Sequence, residues 1–131
     1  VRSEGEPPIF VSVDGSMDFL SEVIIKEQKK DDSGNLAVVA ADSQIGEIEA
    51  LLNKAEIIFG RPNRRGLDEQ LTVVPVGLVK GLEVDVVIVV EPKKIIQEQV
   101  QGMRALYVAL TRATKRVVVV HAEELPENMK S

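Results

Sequence analysis

Apolar positions along the chain switch repeatedly between a spacing of two and a spacing of three to four, which predicts strands alternating with helices. Ile9 to Val13 is short, alternating and rich in branched residues, as in a strand. Asp14-Gly15-Ser16 then offers a turn and a helix N-cap. From Met17 the apolar residues fall at 17, 19, 20, 23 and 24, a helical stripe that fades near Lys29 and Lys30. Both lysines suit a helix C-terminus. Asp31 to Asn35 reads as a loop, and Leu36 to Ala41 as a strand with little alternation, the pattern of a strand covered on both faces. Asp42-Ser43 is placed to cap the next helix, whose stripe is Ile45, Ile48, Leu51 and Leu52. Glu56 to Phe59 reads as another short strand.

Gly60 to Gln70 is polar and contains Gly, Pro and Asn, so it reads as a loop. Leu71 to Val76 is a predicted strand, with Pro75 near its end or on a sheet edge. Asp85 to Val90 is the clearest strand in the chain, whereas Glu91 to Glu98 starts as loop. Gln99 to Thr114 is a predicted helix carrying Val100, Met103, Leu106, Tyr107 and Leu110 on one face. Val117 to His121 is a final buried strand, and the tail from Ala122 is polar and reads as flexible. This alternation argues for a single three-layer α/β domain over residues 1–131 with a mostly parallel sheet.

Composition narrows the function classes. The 131 residues suffice for one domain with a modest core. Aromatics are 3%, with no Trp, which leaves few stacking platforms for single-stranded nucleic acid. Cysteine is absent and histidine occurs once, as His121, so a disulfide framework and thiolate or His-rich metal sites are excluded. A reducing, cytoplasmic setting fits. The net charge of −5 gives no global basic footprint, although Arg61, Arg64 and Arg65 cluster in one loop. No run approaches the roughly 18 apolar residues of a membrane span. The start, VRSEGEPP, lacks both the apolar core of a signal peptide and an initiator Met, which suggests a fragment or a processed chain.

No phosphate-cradling GxxxxGK[ST] loop occurs, nor a GxGxxG after a strand, so the chain lacks the usual means of holding a triphosphate by itself. Paired carboxylates at Asp31-Asp32 and Glu123-Glu124 sit in loop or tail contexts and read as solvated surface. Two strings remain. Val79-Lys80-Gly81-Leu82-Glu83 precedes the strand of Asp85 to Val90, and Leu106-Tyr107-Val108-Ala109-Leu110-Thr111-Arg112-Ala113 precedes the strand of Val117 to Val120. Both lie at element junctions along one sheet, where α/β proteins tend to place ligand sites. As bare charges, Lys80 and Glu83 read equally well as a local ion pair and Arg112 as a helix-end cation.

KGLE before an apolar strand resembles motif V of UvrD/Rep-type superfamily 1 helicases, and LYVALTRA resembles their motif VI, in the family's order. The resemblance covers most of the chain, strongly at the two motifs and diffusely before Leu71. It implies a C-terminal RecA-like motor domain of the P-loop NTPase type that lacks its own Walker A loop. The implied ligand is ATP with Mg²⁺, the metal being held by an N-terminal RecA-like motor domain of the same protein, which would precede Val1. By the same resemblance, Arg112 is the catalytic arginine that reaches the γ-phosphate, and Glu83 accepts a hydrogen bond from the ribose. Lys80 and Gly81 shape the turn near the nucleotide, Thr111 and Tyr107 position Arg112, and Arg104 matches a basic position of the family. The resemblance implies DNA as a further partner, and the lack of a membrane-length apolar run implies no membrane.

The departures bear on that partner. Many members carry a His three residues before the motif V lysine and a Thr two residues before that His, both on the DNA path. This chain has Gly77 and Pro75 there, flanking Val76. The position after Glu83, often aromatic, is Val84. The family's accessory insertion is replaced by the short loop of residues 60–70. The string PVGLVKGLE is closer to the HelD-like branch, whose members are DNA helicase IV-type proteins or ATPases that act on RNA polymerase.

Overall fold

The computed structural model describes residues 9–12, 18–30, 34–62 and 70–121. Among these residues, five strands form one sheet: β1 (Ile9–Ser12), β2 (Leu36–Ala40), β3 (Leu71–Pro75), β4 (Val84–Val90) and β5 (Ala113–His121). Their order is β1-β5-β4-β2-β3, and every pairing is parallel. The helices are α1 (Asp18–Gln28), α2 (Ile45–Lys54), α3 (Pro92–Glu98) and α4 (Gly102–Leu110), with short 3₁₀ turns at Asp42–Gln44 and Val76–Leu78.

Alternation within β2 and β4 separates two cores. Leu36, Val38 and Ala40 join Ile88 and Val90 against Leu20, Ile24, Ile48 and Leu52 of α1 and α2. Ala37 and Val39 join Val87 and Val89 against Ile95 of α3 and Leu106 and Ala109 of α4. All five residues of β2 are buried, which is why its sequence shows no polar alternation. These two cores make the three layers that the alternation of elements predicts. Pro75 ends β3, and β3 is an edge strand, so its missing N–H leaves no ladder bond broken at the sheet centre.

Several elements differ from the sequence reading. Glu56 to Phe59 is not a strand. Glu56 takes a positive φ of 60° as α2 ends, and the segment meets the sheet through a single bridge between Gly60 and Thr72. Glu91 to Glu98 is mostly helix, because Pro92 occupies the first helical position, where its fixed φ suits the first turn. Ser43 does not cap α2. The N-cap is Gln44, without a side-chain bond, and the Ser43 hydroxyl donates instead to the Glu98 carboxylate. The helix predicted from Gln99 starts at Gly102 and ends at Leu110, and β5 begins at Ala113. Its buried face is Gly102, Leu106 and Ala109, whereas Val100, Met103 and Tyr107 are exposed. A Cβ on Gly102 would lie 2.4 Å from the Ile96 backbone, so α3 and α4 approach each other through this glycine.

The predicted N-cap at Asp14 to Ser16, the carboxylate pairs, Arg64, Arg65 and the tail lie outside the described residues. Arg61 is committed elsewhere: its Nε and Nη2 each donate to the Glu49 carboxylate at 2.7 Å.

Candidate functional site

β4 and β5 are neighbours inside the sheet, so the strings that precede them reach the same edge. The Val84 N–H donates to the Arg112 carbonyl at 3.2 Å, and Val84 pairs in register with Ala113. The edge they share is the one where the strands begin. Ligand sites of open α/β sheets usually lie at the opposite edge, outside the carboxyl ends. The junctions named from the sequence therefore converge, but at the other end of the sheet from the one that rule describes.

The first string forms a tight turn closed by the Leu82 N–H donating to the Val79 carbonyl at 3.0 Å. Gly81 sits at the third position of the turn with φ +85°, where a type II turn requires a positive angle. Open space surrounds the position of a Cβ on Gly81, so backbone conformation and not crowding demands glycine. Val79 is buried, and Lys80, Gly81 and Glu83 are exposed. The turn is thus pinned by its apolar residue and presents its polar groups outward.

The second string ends α4. The Thr111 N–H donates to the carbonyls of Tyr107 and Val108, and its hydroxyl donates to the Val108 carbonyl at 2.8 Å. Arg112 folds back on this turn, its Nε donating to the Val108 carbonyl and its Nη2 to Thr111 Oγ1, each at 3.2 Å. A cation over the last carbonyls complements the negative end of the helix dipole. Thr111 thus contacts Arg112 directly. Tyr107 does not share that arrangement through its side chain, which is 67% exposed.

The remaining residues named from the sequence gather elsewhere. Gly77, Lys80 and Arg104 line a cleft of about 480 Å³ between the turn after β3 and α4. Its floor includes Val76, Val79 and Val108, and Glu83 and Arg112 are not among its lining residues. Val76 is 2% exposed, so its side chain belongs to the core, and Pro75 closes β3 beside it. Arg104 donates to Gln101 at 3.4 Å. The structure therefore divides the residues named from the sequence into an edge group, Gly81, Glu83, Thr111 and Arg112, and a cleft group, Gly77, Lys80 and Arg104.

Sequence reasoning missed Asp85. Its carboxylate accepts the Asn35 N–H at 2.8 Å, tying the start of β4 to the turn before β2. The signal was a lone acidic residue inside an otherwise apolar strand. Among the described residues no three His, Cys, Asp or Glu side chains form a group able to hold a metal, and no helix is long and apolar enough to cross a membrane.

Residues 70–120, which contain both strings and the strands that follow them, match the family described as UvrD-like helicase C-terminal domain. No curated protein matches the chain. Among solved structures, the chain is similar to the C-terminal domain of a possible DNA helicase from Lactobacillus plantarum WCFS1. That match has a TM-score of 0.73 and 22% identity, covering 97% of this chain and 81% of the other. The Sulfolobus solfataricus SWI2/SNF2 ATPase core, solved in complex with double-stranded DNA, matches at a TM-score of 0.64 and 13% identity over 88% of this chain. The Pyrococcus furiosus Hef helicase domain matches at 0.52 and 21% over 79% of this chain. This chain spans only 28% and 24% of those last two proteins. The fold is that of RecA-like helicase C-terminal domains.

Proposed function

We propose that this chain is the second of two RecA-like motor domains of an ATP-dependent superfamily 1 DNA helicase, acting in the cytoplasm. It would complete an ATP site whose other half lies on an N-terminal motor domain of the same protein. The observation that carries this reading is the hydrogen bond from Val84 to Arg112, which brings the two helicase-like strings together on one exposed edge.

In this reading Arg112 leaves its resting place on Val108 and Thr111 and meets the γ-phosphate across the cleft between the domains. Phosphoryl transfer gathers charge on equatorial oxygens, and a guanidinium answers it with a permanently charged, two-pronged donor. Glu83 accepts a hydrogen bond from the ribose, Lys80 and Gly81 shape the turn beside the nucleotide, and Thr111 holds Arg112 between turnovers. Tyr107 and Arg104 flank the site from α4. The residue types fit ATP, with cations for phosphates and a carboxylate for a hydroxyl. Mg²⁺ would supply charge neutralisation at the phosphates, with its ligands on the N-terminal domain. Pro75, Val76 and Gly77 are the stretch assigned to the nucleic-acid path.

The test uses the parent protein and this chain side by side. Arg112→Ala in the parent should lower kcat for ATP hydrolysis at least about a hundredfold with little change in ATP binding. The 131-residue chain alone should hydrolyse no ATP. Unchanged turnover in the variant, or Arg112-dependent hydrolysis by the isolated chain, would sink the proposal.

A second reading keeps the ATP site and changes the target: a HelD-like ATPase that remodels RNA polymerase and unwinds nothing. Gly77 favours it, because it is exposed in the cleft without a side chain to grip a DNA strand. An unwinding assay beside a polymerase pull-down on the parent protein separates the two readings.

A further inference from the structure

We infer that Asp85 is a positioning residue that sets the nucleotide-facing edge through the turn at Gly34 and Asn35. In its enzymatic part this rests on the ATP-site reading above. Three hydrogen bonds join Asn35 to the start of β4. The Asn35 N–H donates to Asp85 Oδ2 at 2.8 Å, and the N–H groups of Asp85 and Val86 both donate to the Asn35 carbonyl at 3.1 Å.

The strand needs this support where it receives it. The β4–β5 ladder slips between Val84 and Val86: Val84 pairs with Ala113, but Val86 pairs with Arg116. Thr114 and Lys115 of β5 therefore stand opposite the single residue Asp85. Irregularities of this kind bend a strand and commonly lie beside active sites. Beyond the slip, Val84 is held on the β5 side by the Arg112 carbonyl. On the β2 side the strand is held at Asp85 and Val86, by Asn35. Val84 lies one residue from Glu83 and bonds Arg112, so its placement fixes both strings relative to each other.

The turn is shaped to the carboxylate. Gly34 has φ +53°, and a Cβ there would lie 2.0 Å from Asp85 Oδ2. A side chain at residue 34 would strain the turn and push the carboxylate off the Asn35 N–H. Two substitutions on different elements, Asp85→Ala and Gly34→Ala, should therefore produce one phenotype.

The first measurement is amide hydrogen exchange on the 131-residue chain. Both variants should speed exchange about tenfold at Val84 and Val86, whose N–H groups bond the Arg112 and Asn35 carbonyls, the size expected for loss of one hydrogen bond to a charged group. Exchange at Val118 to Val120 should not change. Asp85→Asn keeps an acceptor oxygen and should stay within about twofold of the parent sequence. Unchanged exchange at Val84 and Val86, or equal acceleration across the whole sheet, overturns the inference. The second measurement is ATP hydrolysis by the parent protein. Asp85→Ala and Gly34→Ala should each raise KM for ATP about tenfold and lower kcat less than threefold, with rescue by Asp85→Asn. If the local exchange effect holds but the parent shows no Arg112-dependent hydrolysis, the ATP-site reading fails while the positioning role stands. If hydrolysis depends on Arg112 but KM is unmoved in both variants, the positioning role in nucleotide binding fails alone.

Discussion

Nη2 of Arg112 donates to Oγ1 of Thr111 at 3.2 Å, while that hydroxyl donates to the Val108 carbonyl at 2.8 Å. The arginine proposed above for ATP chemistry therefore rests on the C-terminal end of α4. Its contacts there are few, so its structural role is small.

That separation is measurable. Arg112→Ala removes two hydrogen bonds at a half-buried helix end and should lower stability by about 1 kcal/mol. Urea unfolding of the 131-residue chain checks this. A loss of several kcal/mol would mean that the turnover defect predicted for the parent reports misfolding.

The glycines at 81 and 102 should fail for different reasons. Gly81→Ala places a Cβ in open space but at φ +85°, so it should cost about 1 kcal/mol, with Gly81→Asn milder. Gly102→Ala has no such backbone conflict, yet its Cβ would meet the Ile96 backbone at 2.4 Å and force α3 and α4 apart. It should cost about 2 kcal/mol or more. Urea midpoints of the two alanine variants give the comparison.

Glu27 and Arg116 form a buried ion pair between α1 and β5, with Nε to Oε1 at 2.9 Å and both residues 4% exposed. Lys30 also bonds Glu27. Removing Glu27 takes a buried charged partner from Arg116, so Glu27→Ala should destabilise by about 3 kcal/mol. Replacing both with methionine should cost far less than the sum of the single replacements. A double-mutant cycle in urea reads the difference.

The Glu49–Arg61 pair predicts a pH effect of known sign. Two hydrogen bonds from Arg61 hold the Glu49 carboxyl below the ordinary carboxylate range. A depressed folded-state pKa contributes stability that is present above the ordinary glutamate pKa of about 4.3 and is lost as pH falls below it. Glu49→Gln should thus be slightly less stable than the parent sequence at pH 7, with the gap closing toward pH 3. It should also shrink in high salt, because Arg61 is largely exposed. A constant gap across that pH range would refute this account.

The sheet was legible because β2 and β4 are covered on both faces, so β2 reads as an unbroken apolar run and β4 as one interrupted only by Asp85. Pro75 likewise marked an edge. The expected face of α4 was right at Leu106 and Leu110 and wrong at Val100, Met103 and Tyr107, because two sets of positions share helical spacing. Val100, Met103 and Tyr107 form one, and Gly102, Leu106 and Ala109 the other. Hydrophobicity favours the first set, but close approach of α3 selects the second, since only glycine fits at residue 102. Ser43 was misassigned because a long-range acceptor, Glu98, outcompetes the local cap. The site strings were visible as residue types, while the Asn35–Asp85 contact joins positions fifty residues apart, so the acidic residue in β4 was visible but its partner was not.

The strand order carries a consequence for how the chain assembles. β2, β3 and β4 are consecutive in sequence and contiguous in the sheet, so they can pair once residue 90 has emerged from the ribosome, before β5 emerges. β1 comes first in the chain, yet its partner is β5, with Ile9 against Val118. The N-terminal strand must therefore remain unpaired until nearly the whole domain has emerged from the ribosome. Non-local closure of this kind is slow, and the open flank of β4 stays exposed to foreign strands until β5 arrives.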